Sequence, residues 1–161
     1  MAINLLNNDI ETLTCPALVV FSKASSVKDK LAKVTHSELN KKLAEAISEK
    51  TITGKHQEVV TFREMNHAGF RHVIVVGLGK ENAITHEMVR QASASAYEAV
   101  KALNIKEAAL HFDGVVAGKK DAATFAQAVA EGLVLTSYVF DELKSAKKDK
   151  KESSEITIHV S

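Results

Sequence analysis

Two periodicities organise the apolar positions of this chain. Short continuous apolar runs mark strands, and stripes with a three-to-four-residue repeat mark helices. Ala17-Leu-Val-Val-Phe21 and Val73-Ile-Val-Val76 are unbroken runs, as expected of strands buried on both faces. Glu58-Val-Val-Thr-Phe-Arg63 is β-branched and aromatic and reads as another strand, as does Ala108-Ala-Leu-His-Phe112. Ile156-Thr-Ile-His-Val160 alternates and reads as a final half-buried strand, and the stretch from Ile3 to Leu13 offers an edge strand.

Helical stripes lie between these runs. One helix is expected to start at Thr35, a natural N-cap with Glu38 at the capping-box position and Val34 placed to staple against Leu39. Its apolar face is Leu39, Leu43, Ala46 and Ile47, and Gly54 follows it. A second helix begins near Thr85 and turns Met88, Val89, Ala92, Ala96, Ala99, Val100 and Leu103 inward. The small residues at 92–96 let it approach a sheet closely. Asp121 is a plausible N-cap for a third helix reaching about Leu143, with Phe125, Val129, Gly132, Leu133, Thr136, Phe140 and Leu143 on one side.

Strands alternating with helices predict an α/β fold with a mixed, mainly parallel sheet covered on both faces, in three layers. There is no internal repeat and no sign of a second domain, so residues 1–161 are expected to form one unit. Between the last helix and the last strand, Lys144–Ser154 carries five lysines and reads as a solvated connector. The chain stops one residue after its final strand, which resembles a domain boundary from which a longer protein would continue.

Composition narrows the function classes. Lys plus Arg at 21 against Asp plus Glu at 20 leaves a formal charge of +1, which gives no general attraction to nucleic acid or anionic membrane. Cys15 is the only cysteine, which excludes an internal disulfide framework and any multi-cysteine metal site and suits a reducing, cytoplasmic setting. No apolar run approaches the roughly 18 residues of a membrane span.

The glycine turn in Val75-Val-Gly-Leu-Gly-Lys80, between strand and helix, is the strongest chemical candidate, since such turns often hold phosphates. It does not complete a dinucleotide fingerprint, because Asn82 stands where the third glycine belongs and Glu98 lies inside a helix. It is not a Walker loop either, because Lys80 is followed by Glu81. The simpler reading is that Gly77 and Gly79 permit positive φ while Lys80 points into water.

The seven histidines, at 36, 56, 67, 72, 86, 111 and 159, show no metal-ligand spacing, although His67 and His72 could meet across a loop. Cys15 reads as a small buried hydrophobe rather than a nucleophile. Asp141 and Glu142 read as solvated helix residues. The lysine run at 144–151 could touch phosphate backbones, but Asp149 and Glu152 flank or interrupt it and no aromatic stands among the lysines to stack on bases.

Two stretches together carry a resemblance: Val75-Val-Gly-Leu-Gly-Lys80 leading into the Ala/Ser-rich helix, and Ala130-Glu-Gly-Leu-Val-Leu-Thr-Ser-Tyr-Val-Phe-Asp-Glu-Leu-Lys-Ser145. Both resemble the N-terminal domain of the leucine (cytosol) aminopeptidases. Thr53-Gly-Lys55 before a strand and the charged stretch leading to Glu155–Val160 fit in the same order. The first thirty or so residues contribute little.

The resemblance implies a macrodomain-like, non-catalytic N-terminal domain. It would be joined to a larger metallopeptidase domain that holds two divalent metals, zinc or manganese, and releases N-terminal amino acids from peptides. The hallmark of that second domain, Asn-Thr-Asp-Ala-Glu-Gly-Arg, occurs nowhere in these 161 residues. No catalytic or metal-binding residue is therefore carried over, and the chain alone is expected not to be an enzyme. The partners implied are the chain's own catalytic domain and sister subunits, with DNA contact in some bacterial members. The alternative is a stand-alone macrodomain-like binder of a nucleotide or ADP-ribose-type ligand at Gly77, Gly79 and Lys80, near Asp113-Gly114. The paired-asparagine loop and second glycine-rich loop of active ADP-ribose binders are not found in the sequence.

Overall fold

A computed structural model describes residues 2–5, 14–24, 37–65, 69–111, 122–138 and 156–160. In chain order the elements are β1 (Ala2–Leu5), β2 (Ala17–Ser22), α1 (Ser37–Ser48), β3 (Val59–Phe62), β4 (His72–Gly77), α2 (His86–Ala102), β5 (Glu107–His111), α3 (Ala122–Ser137) and β6 (Thr157–Val160), with a 3-10 turn at Glu81–Ala83 before α2. The strands form one sheet in the order β1-β6-β5-β2-β4-β3. Every pairing is parallel except β3 with β4.

Strand alternation divides the core in two. Ala17, Val19 and Phe21 of β2, with Ile74 and Val76 of β4 and Ala108 and Leu110 of β5, face α2 and α3 on one side of the sheet. Leu18 and Val20, with Val73, Val75 and Ala109, face Leu39, Leu43 and Ala46 of α1 on the other. The unbroken apolar runs of β2 and β4 are thus explained: both strands are interior and buried along their whole length. The expected three-layer, mainly parallel α/β architecture is the observed one.

Boundaries differ in physically informative ways. The N-terminal edge strand is described over Ala2–Leu5, in parallel register against β6, and residues 6–13 of the expected stretch lie outside the described residues. β5 starts one residue earlier than its apolar run, at Glu107, because Glu107 itself pairs with Thr157 of β6. Helix α2 is capped by Thr85, whose Oγ1 accepts from the Met88 amide at 3.2 Å. Its buried face includes Ser93 and Tyr97, which the apolar stripe misses, because α2 packs against α3 as well as against the sheet. The expected cap at Thr35 and staple at Val34, the cap at Asp121, the residues Asp113-Gly114, and Phe140, Asp141, Glu142 and Leu143 fall outside the described residues, as does the Lys144–Ser154 stretch.

Candidate functional site

The C-terminal ends of β2 and β4 lie side by side, next to the β2/β5 boundary where the chain, having added β3 and β4 on one side of β2, turns to add β5 on the other, the kind of position where open α/β sheets tend to hold ligands. Gly77, Leu78, Gly79 and Lys80 leave β4 here, beside Ser22, Lys23 and Ala24 leaving β2. The loop 53–58 lies directly over the glycine turn.

The hydrogen bonds show what the turn does. The Gly77 amide donates to the Glu58 carbonyl at 2.8 Å, the Leu78 amide to Ser22 at 2.8 Å, and the Gly79 amide to Gly54 at 2.9 Å. In return the Gly77 and Gly79 carbonyls accept from the Gln57 and Ala24 amides at 3.0 and 2.8 Å. A phosphate cradle needs backbone N–H groups directed at the ligand. Here all three consecutive amides are directed at protein carbonyls.

Gly77 also corrects the expectation that it permits positive φ. Among these glycines Gly54 and Gly79 have positive φ, at 70° and 89°, and Gly77 does not. Its requirement is spatial: a Cβ there would lie 1.9 Å from the Lys55 carbonyl oxygen. The glycine thus lets the 53–58 loop lie against the end of β4. Lys80 is exposed, as expected, whereas Lys23 is buried with its side chain only 4% accessible and its Nζ 3.1 Å from Glu81 Oε1.

Glu58 fixes the loop from within. Its carboxylate accepts from Thr53 Oγ1 at 2.7 Å, the Thr53 amide at 2.8 Å and the Gly54 amide at 2.7 Å. Burial alone would raise this carboxyl, but the Thr53 and Gly54 hydrogen bonds and the charge of Lys55 outweigh it and hold the group below its ordinary value.

From this loop a polar chain runs across both helices. His56 Nε2 lies 2.8 Å from Gln91 Oε1, the Gln91 amide nitrogen donates to Glu87 at 3.0 Å, and Arg90 bridges Glu87 and Glu131, the latter at 2.6 Å. Glu131 in turn accepts from Gln127 at 2.7 Å. Because Gln91 Oε1 is an acceptor, His56 donates from Nε2, and its Nδ1 is buried without a hydrogen-bond partner. Sequence reasoning misses this chain, since its members are ordinary surface residue types spread from 56 to 131. The i to i+4 spacings of Glu87 with Gln91 and Gln127 with Glu131, and the i to i+3 spacing of Glu87 with Arg90, are the local signals.

The remaining candidates do not converge. His159 Nε2 lies 2.7 Å from Glu107 Oε1, His72 Nδ1 accepts from the Glu64 amide at 3.4 Å, and the His86 ring tilts against Phe125 at 4.9 Å. His67 falls outside the described residues. Among the described residues no three of His, Cys, Asp or Glu are grouped to hold a metal ion. Cys15 is buried in the α1-side core; burial pushes its thiol up to about 11 despite hydrogen bonds to the Ala17 and Ala109 backbone, which suits the small-hydrophobe reading.

Strand order, the single antiparallel edge and the distribution of helices define a macrodomain-like α/β domain. Solved macrodomains of DarG from Thermus aquaticus and Mycobacterium tuberculosis superpose on 98% of this chain with TM-scores of 0.64 and 0.63, at 12% and 16% identity. A tomato leucine aminopeptidase mutant covers 99% of the chain, and 32% of its own, with a TM-score of 0.73 at 20% identity. Residues 18–147 match the N-terminal domain of the cytosol aminopeptidase family, and the chain belongs to that family.

In sequence, a probable cytosol aminopeptidase of Bdellovibrio bacteriovorus is 72% identical over 99% of the chain, and one from Clostridium perfringens is 34% identical over 79%. The chain spans 31% and 25% of those two relatives.

Proposed function

We propose that this chain is the non-catalytic N-terminal domain of a cytoplasmic, metal-dependent leucyl aminopeptidase, and that its work is packing and assembly. One observation carries this reading: 72% identity runs along 99% of the chain yet reaches only 31% of a probable cytosol aminopeptidase. The peptidase chemistry then belongs to the part of the protein that this chain does not span.

The residues agree with that division. Hydrolysis of a peptide by this route needs metal ions to polarise the scissile carbonyl and supply hydroxide near neutral pH. His56 on the 53–58 loop, His72 on β4 and His159 on β6 each pair with a different protein group, so these three do not share such a site. A solved neighbour of similar fold, the bottromycin maturation enzyme BotP, was determined in complex with Mn, and this chain spans 26% of it. Two divalent metals in the remainder of the parent enzyme are consistent with that division. Among the described residues no helix is long and apolar enough to cross a membrane.

Reading the gene beyond the Ser161 codon, together with an activity assay, tests this proposal. The expected outcome is a frame that continues into an Asn-Thr-Asp-Ala-Glu-Gly-Arg-like segment. The 161-residue chain should release no leucine from a leucyl amide with zinc or manganese, whereas the full-length protein should do so. Turnover by the short chain would overturn the non-catalytic assignment, and an inactive full-length protein would overturn the peptidase assignment.

A further inference from the structure

Helix α3 is apolar on two sides, although the sheet and α2 cover only one. Ala128, Val129 and Leu133 are buried against the core. The outer stripe runs through Gln127, Glu131 and Leu135 at four-residue spacing, with Val134 and Tyr138 beside it. The first two positions are polar and tied into the Arg90 network. In the last turns the same stripe becomes apolar, with Val134 at 51%, Leu135 at 66% and Tyr138 at 73% exposure. Val134 and Leu135 are the exposed large hydrophobics of the described helices, Tyr138 follows α3 directly, and only Val59 elsewhere among the described residues joins them. An exposed apolar surface rimmed by polar residues marks an interaction site.

We propose that the outer face of α3 at Val134 and Leu135 is the seat of the larger, catalytic part of the full-length aminopeptidase. This rests on the functional reading above. The occupant is chosen by length: more than two thirds of the Bdellovibrio relative lies outside the region this chain matches, which supplies a large body to cover this face. The patch suits that role because its neighbour Glu131 is already paired with Arg90, so covering the apolar turns does not bury a lone charge.

A single-cysteine labelling experiment tests the assignment. Cys15 is buried with a raised thiol pKa, so a Leu135→Cys variant of the 161-residue chain presents one reactive thiol. Its maleimide labelling at residue 135, followed by peptide mass mapping, is compared with the same variant of the full-length protein, with Lys101→Cys on the exposed side of α2 as control. Labelling at 135 is expected to fall about tenfold or more in the full-length protein while the control changes less than about twofold, since reactivity follows exposure.

Equal rates at 135 in the two lengths would overturn the proposal and leave the aminopeptidase reading intact. Labelling that is slow in the 161-residue chain and speeds up on dilution would overturn it in favour of a second copy. A stop codon after Ser161 would overturn both. Should Leu135→Cys fold in the short chain and fail in the long one, that failure itself places the residue in the junction, and Val134→Cys supplies the rate.

Discussion

Gly132 of α3 and Arg90 of α2 meet backbone to backbone: a Cβ on Gly132 would stand 2.2 Å from the Arg90 carbonyl oxygen and 3.0 Å from Ser93 Cβ. The close crossing lets the Arg90 side chain span to Glu131, one residue before the glycine, and joins the two helices by both packing and charge. Ser93 contributes by being small, with its hydroxyl turned back onto the Val89 carbonyl at 2.9 Å.

Gly132→Ala is therefore expected to destabilise the fold although alanine is the better helix former. Helix propensity would favour the change by about 1 kcal/mol, whereas overpacking a filled crossing costs about 1–3 kcal/mol. The second effect prevails because the clashing atom is a main-chain oxygen that moves only if the helices separate. Urea denaturation should show a lowered midpoint. An unchanged or raised midpoint would mean that the helices are not as close as described.

At the glycine turn the steric argument separates neighbours that sequence alone treats as one motif. Gly77→Ala should cost about 2 kcal/mol or more by pushing the Lys55 carbonyl away, while Lys80→Ala should stay within about 0.5 kcal/mol, the usual range for an exposed position. Comparable losses for both would show that the motif acts through Lys80 instead.

Much of this fold is legible in the sequence because buried parallel strands and amphipathic helices leave short-range periodicities. The unbroken runs at 17–21 and 73–76 identify the interior strands, and Thr85 announces α2 by its capping chemistry. What stays hidden is long-range. Nothing near Gly77 in sequence reveals that residues 53–58 lie across it, and nothing near Ser93 reveals Gly132. The glycine turn consequently suggests a ligand loop, and only its hydrogen bonds show that its amides are engaged with protein carbonyls.

Glu58 predicts an acid response of the same loop. A carboxyl whose folded value is depressed adds stability above its unfolded value and loses it as pH falls through the folded one. The contribution should thus be present at neutral pH and disappear below about the ordinary 4.5. Glu58→Gln should lower stability at pH 7 and reduce the loss between pH 7 and acid, when thermal unfolding of the two chains is compared across that range. Parallel pH profiles would mean that Glu58 is solvated rather than bound by Thr53 and Gly54.

Cys15 should behave as a core residue. With the thiol pushed up to about 11, only about one in a thousand is ionised near pH 8, and the thiolate is the reactive form. A disulfide reagent should leave the native chain unlabelled and modify it completely in denaturant. Rapid labelling of the native chain would restore a nucleophile or redox role.

The rival ligand-binding role yields the sharpest functional prediction. Binding a pyrophosphate at Gly77–Lys80 would require the amides of Gly77, Leu78 and Gly79 to leave the carbonyls of Glu58, Ser22 and Gly54, and each bond is within 2.9 Å. Each broken backbone bond costs of the order of 1 kcal/mol, and a buried group left unpaired costs more, so the ligand would begin at a deficit of several kcal/mol. Calorimetry of the 161-residue chain with ADP-ribose should accordingly show no saturable heat. Saturable heat that Gly79→Val weakens would reverse the conclusion, because it would require the turn to open and would make ligand binding, rather than packing, the role of the glycine loop.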